Sequence, residues 1–297
     1  MSSSSGPELV DTTAFALTPE GGNACPVVLG ADSLSSEEML AIAADRQLES
    51  AFVLRATRTE ADVRLRYFVP NHEMEMCVHA TIGALTVLRA RRVVTADTVA
   101  VETAIGLVDV TVRETADGSL PTVRVEQRAP LVDAVDVGAD ELAAVLGLGA
   151  ESLDLRLPVE NVSTARAKLM VPLRDHTDLD SVDPDLERLW SLCDRVETTG
   201  VYAFTTSARN PAAAAEARQF PVRAGYPEDP ATGVAACALG AYLSRHTPAD
   251  SEMAGERSFR IEQGHAMGRP SVLTARTRVE RGVVRRTWIE GTATIGS

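Results

Sequence analysis

The stretch CVHATIGALTVL, residues 77–88, decides how this chain folds. Cys77, Val78, Ala80, Ile82, Ala84, Leu85, Val87 and Leu88 leave a helix here no polar face. A helix that is apolar all round has to be buried all round. The stretch ATGVAACALGAYL, residues 231–243, does the same through Ala235, Ala236, Cys237, Ala238, Leu239, Ala241 and Leu243. Alternating runs flank the first helix, DVRLRYFVP (62–70) before it and TVAVETAIGLVDVTVRE (98–114) after it. Such alternation is the period of a strand. A sheet curled around each helix satisfies both signals, and the many small residues let the sheet approach closely.

Working outward, the same order of elements occurs twice, about 150 residues apart. In the first half, strands at ELVDTTAFALT (8–18) and CPVVLG (25–30) lead to a helix opened by Ser35, Ser36 and Glu38, a capping-box arrangement. The strand AFVLRAT follows, then DVRLRYFVP and the buried helix. In the second half, Asp183-Pro184 opens the helix PDLERLWSLCDRV. The strand GVYAFTTS, the segment ARQFPVRAG, the acidic turn YPEDP and the second buried helix come next. Asp45-Arg46 answers Asp194-Arg195. The expectation is an α+β protein of two similar lobes, 1–130 and 131–285, with the last strand (286–297) crossing back to the first. Face-to-face packing of the halves would aim both helix N-termini at one cleft.

Composition removes several classes of function. The 297 residues are enough for two cores of ordinary size. A net charge of −13 and 4% aromatic content argue against nucleic acid and anionic membranes as partners. Cys25, Cys77, Cys193 and Cys237 form no CxxC pair, so neither a zinc ribbon nor a thioredoxin-type site is expected. No metal is expected. The opening MSSSSGPELV lacks the basic and apolar regions of a signal peptide and reads as an unstructured tail. With no apolar run long enough to span a bilayer, the chain reads as soluble and cytoplasmic. Lys168 is the only lysine, with no motif to support a pyridoxal site. Neither GxGxxG nor GxxxxGK occurs, so no cofactor is expected.

The candidate site gathers at the helix entrances. An N-terminus of a buried helix offers unpaired N–H groups and a positive dipole end, which suit an anion. His79 stands in the first turn of the first helix, where it is either functional, a metal ligand or a plain capping residue; HExxH fails because position 76 is Met. Asp229, in Glu228-Asp229-Pro230-Ala231-Thr232-Gly233, stands at or just before the second N-cap with Pro230 near the first helical position. Alone that is simply a good helix start. Glu49, in QLESAFVL, is an ordinary loop glutamate unless it lodges beside the buried helix, where its pKa would rise and it could carry a proton. Cys77 at the helix start would have a lowered pKa, or it is a small filler.

These stretches together resemble the PhzF (phenazine-biosynthesis-like) family, of diaminopimelate-epimerase-like fold. The matching segments are VDTTAFALTPEGGNACPVVL, EEMLAIAADRQLESAFVL, YFVPNHEMEMCVHATIGAL, RAGYPEDPATGVAACALGAYL and IEQGHAMGRPS. The resemblance implies two pseudo-symmetric lobes, each a barrel-like sheet around a central helix, and a cofactor-free isomerase, often a homodimer. The implied reaction is a 1,3-proton shift on a small carboxylate-bearing amino or keto acid. It implies Glu49 as the proton carrier, with His79 and Asp229 as binding and relay partners. Cys77, Val78, Ala80, Thr232, Gly233, Val234 and Gly264 would line the substrate. Three departures stand out: Leu48-Glu49-Ser50 where the family has S-E-T, Val78 for the glycine before the histidine, and Val234 for the serine after T-G. They make the pocket drier and point to a substrate other than dihydro-hydroxyanthranilate. An epimerase or dehydratase using Cys77 or Glu49, and a non-catalytic small-acid-binding protein, are the alternatives. A symmetrical two-thiol racemase is not expected, because Asp229 stands where the second thiol would be.

Overall fold

A computed structural model describes residues 6–115, 120–247 and 255–296. Residues 1–5, read above as the head of a tail, lie outside it. Elements run as β1 (Glu8–Ala14), β2 (Asn23–Leu29), α1 (Ser36–Arg46), β3 (Ser50–Leu54), β4 (Val63–Val69), β5 (His72–Met74), α2 (Val78–Ala90), β6 (Thr98–Thr103), β7 (Gly106–Arg113) and β8 (Thr122–Gln127). They continue as β9 (Leu131–Ala134), α3 (Ala139–Val145), β10 (Glu160–Ser163), β11 (Lys168–Pro172), α4 (His176–Asp180), α5 (Leu186–Arg195), β12 (Gly200–Thr205) and β13 (Ala215–Pro221). The chain closes with α6 (Gly233–His246), β14 (Gly255–Gln263), β15 (Ser271–Glu280), β16 (Val283–Gly291) and β17 (Ala293–Ile295). The fold is mixed α+β. Among the described residues no helix is long and apolar enough to cross a membrane.

Two compact units divide the described chain, one within residues 1–16, 22–126 and 290–297, the other within 17–21 and 127–289. In the first unit the strand order is β17-β1-β2-β3-β4-β6-β7-β8, with β5 beside β6 along β4. Only β2–β3 and β4–β6 are parallel, and each of these pairs is bridged by a helix, α1 and α2. A parallel pair needs such a crossover. The second unit runs β9-β10-β11-β12-β13-β14-β15, with β11–β12 and β13–β14 parallel. Here α4 and α5 bridge the first pair and α6 the second. The alternation of antiparallel and parallel pairs is therefore the same in both units.

Helix α2 touches β17, β1, β2, β3 and β7, strands from both halves of its sheet, so the sheet bends around it. Every residue from Val78 to Leu88 is buried. Each of its fully buried Val, Leu and Ile side chains contributes about 1.5–3 kcal/mol. Glycine at the helix centre costs roughly 1 kcal/mol against alanine, yet a Cβ on Gly83 would overlap Thr12 Oγ1 on β1. Helix α6 packs against β10, β11, β14 and β15, and Gly240 makes the same allowance for Ala275 on β15.

The remaining helices cover the outer faces. Helix α1 starts with the capping box: Ser35 Oγ accepts the Glu38 N–H at 3.2 Å and Glu38 Oε2 accepts the Ser35 N–H at 2.8 Å. Its Met39 and Ala43 pack on Val28, Phe52 and Phe68. In the second unit, Leu142, Leu189 and Leu192 pack on Leu169, Val171, Val201, Ala203 and Phe220. Alternation then sends Lys168, Met170, Tyr202 and Gln219 to the opposite face of that sheet.

Candidate active site

In the first unit Glu49 immediately precedes β3, Cys77 is the N-cap of α2 and His79 is its second residue. Strand β3 lies beside β4, and β5 turns back along β4 to deliver the chain to the helix start. The Cys77 thiol donates to Glu49 Oε2 at 3.3 Å, and His79 Nδ1 lies 3.3 Å from the same sulfur. His79 Nε2 is 3.5 Å from Glu49 Oε2. The side chain of Glu49 is 20% exposed and that of His79 8%, so solvent reaches the cluster from the glutamate side. Behind it, Thr81 Oγ1 donates to the Cys77 carbonyl at 2.7 Å and lies 2.7 Å from Tyr67 Oη on β4. That chain of hydroxyls fixes the first turn of α2 to the sheet.

The Cys77 thiol is held well above its ordinary pKa, first by burial, then by the nearby Glu49 carboxylate. This corrects the expectation of a lowered value. A helix dipole is worth about 0.3–1 kcal/mol at its N-terminus, which a buried sulfur beside a carboxylate outweighs. Cys77 thus sits in an environment that favours the thiol form. Its side chain makes no cap bond to the first turn. The N–H groups of Val78, His79 and Ala80 belong to the set that has no intrahelical partner.

In the second unit, α6 begins at Gly233 with Thr232 as N-cap. Asp229 is three residues before that cap and Pro230 two, which corrects the placement at the N-cap and first helical position. Tertiary contacts hold residues 229–232 out of the helix. The Asp229 N–H donates to the Gln219 carbonyl at 3.0 Å. Gln263, the buried last residue of β14, accepts the Thr232 N–H at 3.2 Å and donates to the Asp229 carbonyl at 2.6 Å. Tyr202 Oη donates to the same Gln263 oxygen at 2.9 Å. Thr232 Oγ1 donates to Asp229 Oδ2 at 2.6 Å instead of capping the helix. By cap position the counterpart of Cys77 is thus Thr232, not Asp229.

Gly264 has φ +83°, and a Cβ there would overlap the Arg269 carbonyl and approach that of Pro230. The turn that follows β14 is thereby pressed against the Asp-Pro segment. Glu228 is anchored by a two-pronged ion pair with Arg218 (2.9 and 2.8 Å), whose Nη1 also donates to the Val182 carbonyl at 2.7 Å. Lys168, buried on β11, donates to the Thr199 carbonyl at 3.3 Å. Burial pushes its pKa down to about 8, aided by Arg166 and opposed by Asp229.

The structure thus groups Glu49, Cys77, Val78, His79 and Ala80 in one unit, and Asp229, Thr232, Gly233, Val234 and Gly264 in the other. Sequence reasoning missed Tyr67, Thr81, Tyr202 and Gln263. The one available signal was the glutamine directly before the loop glycine in IEQGHAMG.

Comparison with known proteins bears on the chemistry. A family model described as phenazine biosynthesis-like protein matches residues 12–297. An uncharacterized isomerase of Deinococcus radiodurans is 33% identical, the match covering 96% of this chain and 91% of the relative. The trans-2,3-dihydro-3-hydroxyanthranilate isomerase of Pseudomonas aeruginosa is 31% identical, covering 89% of this chain and 87% of that protein. The crystal structure of a PhzF-family phenazine biosynthesis protein from Bacillus anthracis superposes with a TM-score of 0.89 at 28% identity, covering 99% and 98% of the two chains.

Proposed function

The chain belongs to the phenazine biosynthesis-like family and is an isomerase of that type, and on that premise we propose that it moves a proton between two carbons of a small carboxylate-bearing amino or keto acid. The observation that carries the proposal is the position of Glu49 Oε2, 3.3 Å from the Cys77 thiol and 3.5 Å from the His79 ring, at the mouth of a buried apolar helix.

In this reading Glu49 takes the proton from one carbon, and the electron pair shifts along the substrate. The same carboxyl returns the proton to the carbon two positions away, so no external acid or base is consumed. Cys77 and His79 orient the carboxyl, since each lies within reach of the oxygen that carries the proton. The first-turn N–H groups of Val78, His79 and Ala80 receive the substrate carboxylate. Asp229, held by Thr232, binds polar substrate groups or relays protons at the α6 entrance, with Gly233, Val234 and Gly264 shaping that side. The rate gain comes from positioning and from fixed dipoles in a dry site. Val78 and Val234 favour a less polar substrate than dihydro-hydroxyanthranilate. We assign the enzyme to secondary metabolism in the cytoplasm, working without a cofactor as a homodimer, the two units of each chain being the two lobes implied by the family.

The test is a panel of small unsaturated amino and keto acids incubated with the protein in heavy water and followed by NMR. Deuterium at one carbon together with a displaced double bond supports the shift. Deuterium without displacement indicates epimerisation, and loss of water indicates elimination. Binding without any exchange leaves a small-acid-binding protein.

A further inference from the structure

Glu49, Cys77 and His79 offer a carboxylate oxygen, a sulfur and an imidazole nitrogen, all within 4.8 Å of one another. One atom from each suffices. Sγ to Oε2 is 3.3 Å, Oε2 to Nε2 is 3.5 Å and Sγ to Nε2 is 3.8 Å. Zinc binds thiolate sulfur at roughly 2.3 Å and carboxylate oxygen and imidazole nitrogen at roughly 2.0–2.1 Å, and the edges of a tetrahedron with such arms are roughly 3.3–3.6 Å. The three donors therefore already stand near three corners of a zinc site.

From this geometry we infer that the cluster is a binding site for a soft divalent cation of the zinc class, and that the bound ion shuts off proton transfer by occupying Glu49. The charge balance favours it. A carboxylate and a thiolate side by side in a buried setting repel each other. A dication neutralises both. On binding, the S–H bond breaks, its proton leaves to solvent and the sulfur lone pair goes to the metal. The opposing effect is the positive end of α2, a partial charge that two anionic ligands outweigh. Hard ions that prefer oxygen ligands, magnesium and calcium, are not suited to a sulfur–nitrogen pair. The donor positions carry this inference. It therefore stands or falls separately from the isomerase reading, apart from the clause on inhibition.

The test uses the full chain, stripped of metal and titrated with Co²⁺ as a spectroscopic probe, then with Zn²⁺. The expected result is one equivalent of Co²⁺ giving the intense visible bands of a four-coordinate site and a thiolate-to-cobalt charge-transfer band. Co²⁺ binding should release the thiol proton and Zn²⁺ should then bleach both bands with no further release, while Mg²⁺ and Ca²⁺ have no effect. Cys77→Ser should abolish the charge-transfer band, and Cys77→Ser and Glu49→Gln should each weaken Zn²⁺ binding by about 100-fold or more, since losing a group that only hydrogen-bonds to a ligand already costs about 10–100-fold. Circular dichroism checks that each variant is folded, and Cys77→Ala replaces Cys77→Ser if the latter is not. Absence of the band, its persistence without Cys77 or undiminished Zn²⁺ binding by Glu49→Gln would overturn the assignment. Binding needs no substrate, so a protein that binds Zn²⁺ and exchanges no proton refutes only the isomerase reading.

Discussion

Lys168 gives the sharpest quantitative expectation. It is the chain's one lysine, buried on the inner face of the second unit, and its pKa falls from 10.5 to about 8. A lowered pKa in a base means that the fold disfavours the charged form. Below pH 8 both folded and unfolded chains carry the proton, and the full penalty is present. Between pH 8 and 10.5 the unfolded chain still holds a proton that the folded chain has lost. Stability then rises with pH, because the unfolded state binds more protons. At about 1.4 kcal/mol per pH unit, the drop to about 8 makes that gain about 3 kcal/mol. Lys168→Met keeps the length and removes the titration. Urea unfolding of both proteins from pH 7 to 10.5 measures the difference, and other titrating groups cancel in the subtraction. The stability of the variant relative to the natural protein should fall by about 3 kcal/mol across that range. A difference that stays constant with pH would refute the reasoning, since the lysine would then not be titrating from a buried position.

Other expectations follow from single contacts. Both side-chain polar atoms of Gln219 are buried and lack a hydrogen-bond partner, so Gln219→Leu should raise stability by about 1–3 kcal/mol, read by denaturant midpoint. Gly83→Ala should destabilise by about 1–3 kcal/mol, the reverse of the usual helix effect, because the new methyl displaces Thr12 from its 2.7 Å bond to the Cys25 carbonyl. Cys77 should resist iodoacetamide in the folded protein at pH 8, its thiol being buried and held above the ordinary range, and react on unfolding. Rapid alkylation of native Cys77, located by peptide mapping, would contradict the thiol assignment.

Much of this architecture was legible because its signals are local. A helix without a polar face must be enclosed, and both such helices are. Ser35 and Glu38 make the capping box that their spacing announces. The site residues at the α2 entrance lie within a few positions of one another or follow a predicted helix. What was not legible comes from distant strands. Asp-Pro ordinarily starts a helix, but Gln263 on β14 and Gln219 on β13 hold the segment out of the helix until Thr232. The short helices α3 and α4 and the three-residue strand β5 carry too few residues to show a period. The Cys77 pKa was misread for a related reason: the dipole belongs to its own helix, whereas the burial and the Glu49 carboxylate come from elsewhere in the fold.

The central claim is that a single carboxyl, Glu49, carries the proton. Its most direct test is the rate of deuterium wash-in at the reacting carbon for the natural protein and for Glu49→Gln, on whichever acid the panel identifies. General acid–base groups contribute about 10²–10⁴-fold, and the account predicts a loss of at least that size with ligand binding retained. Exchange at an undiminished rate in Glu49→Gln would contradict it.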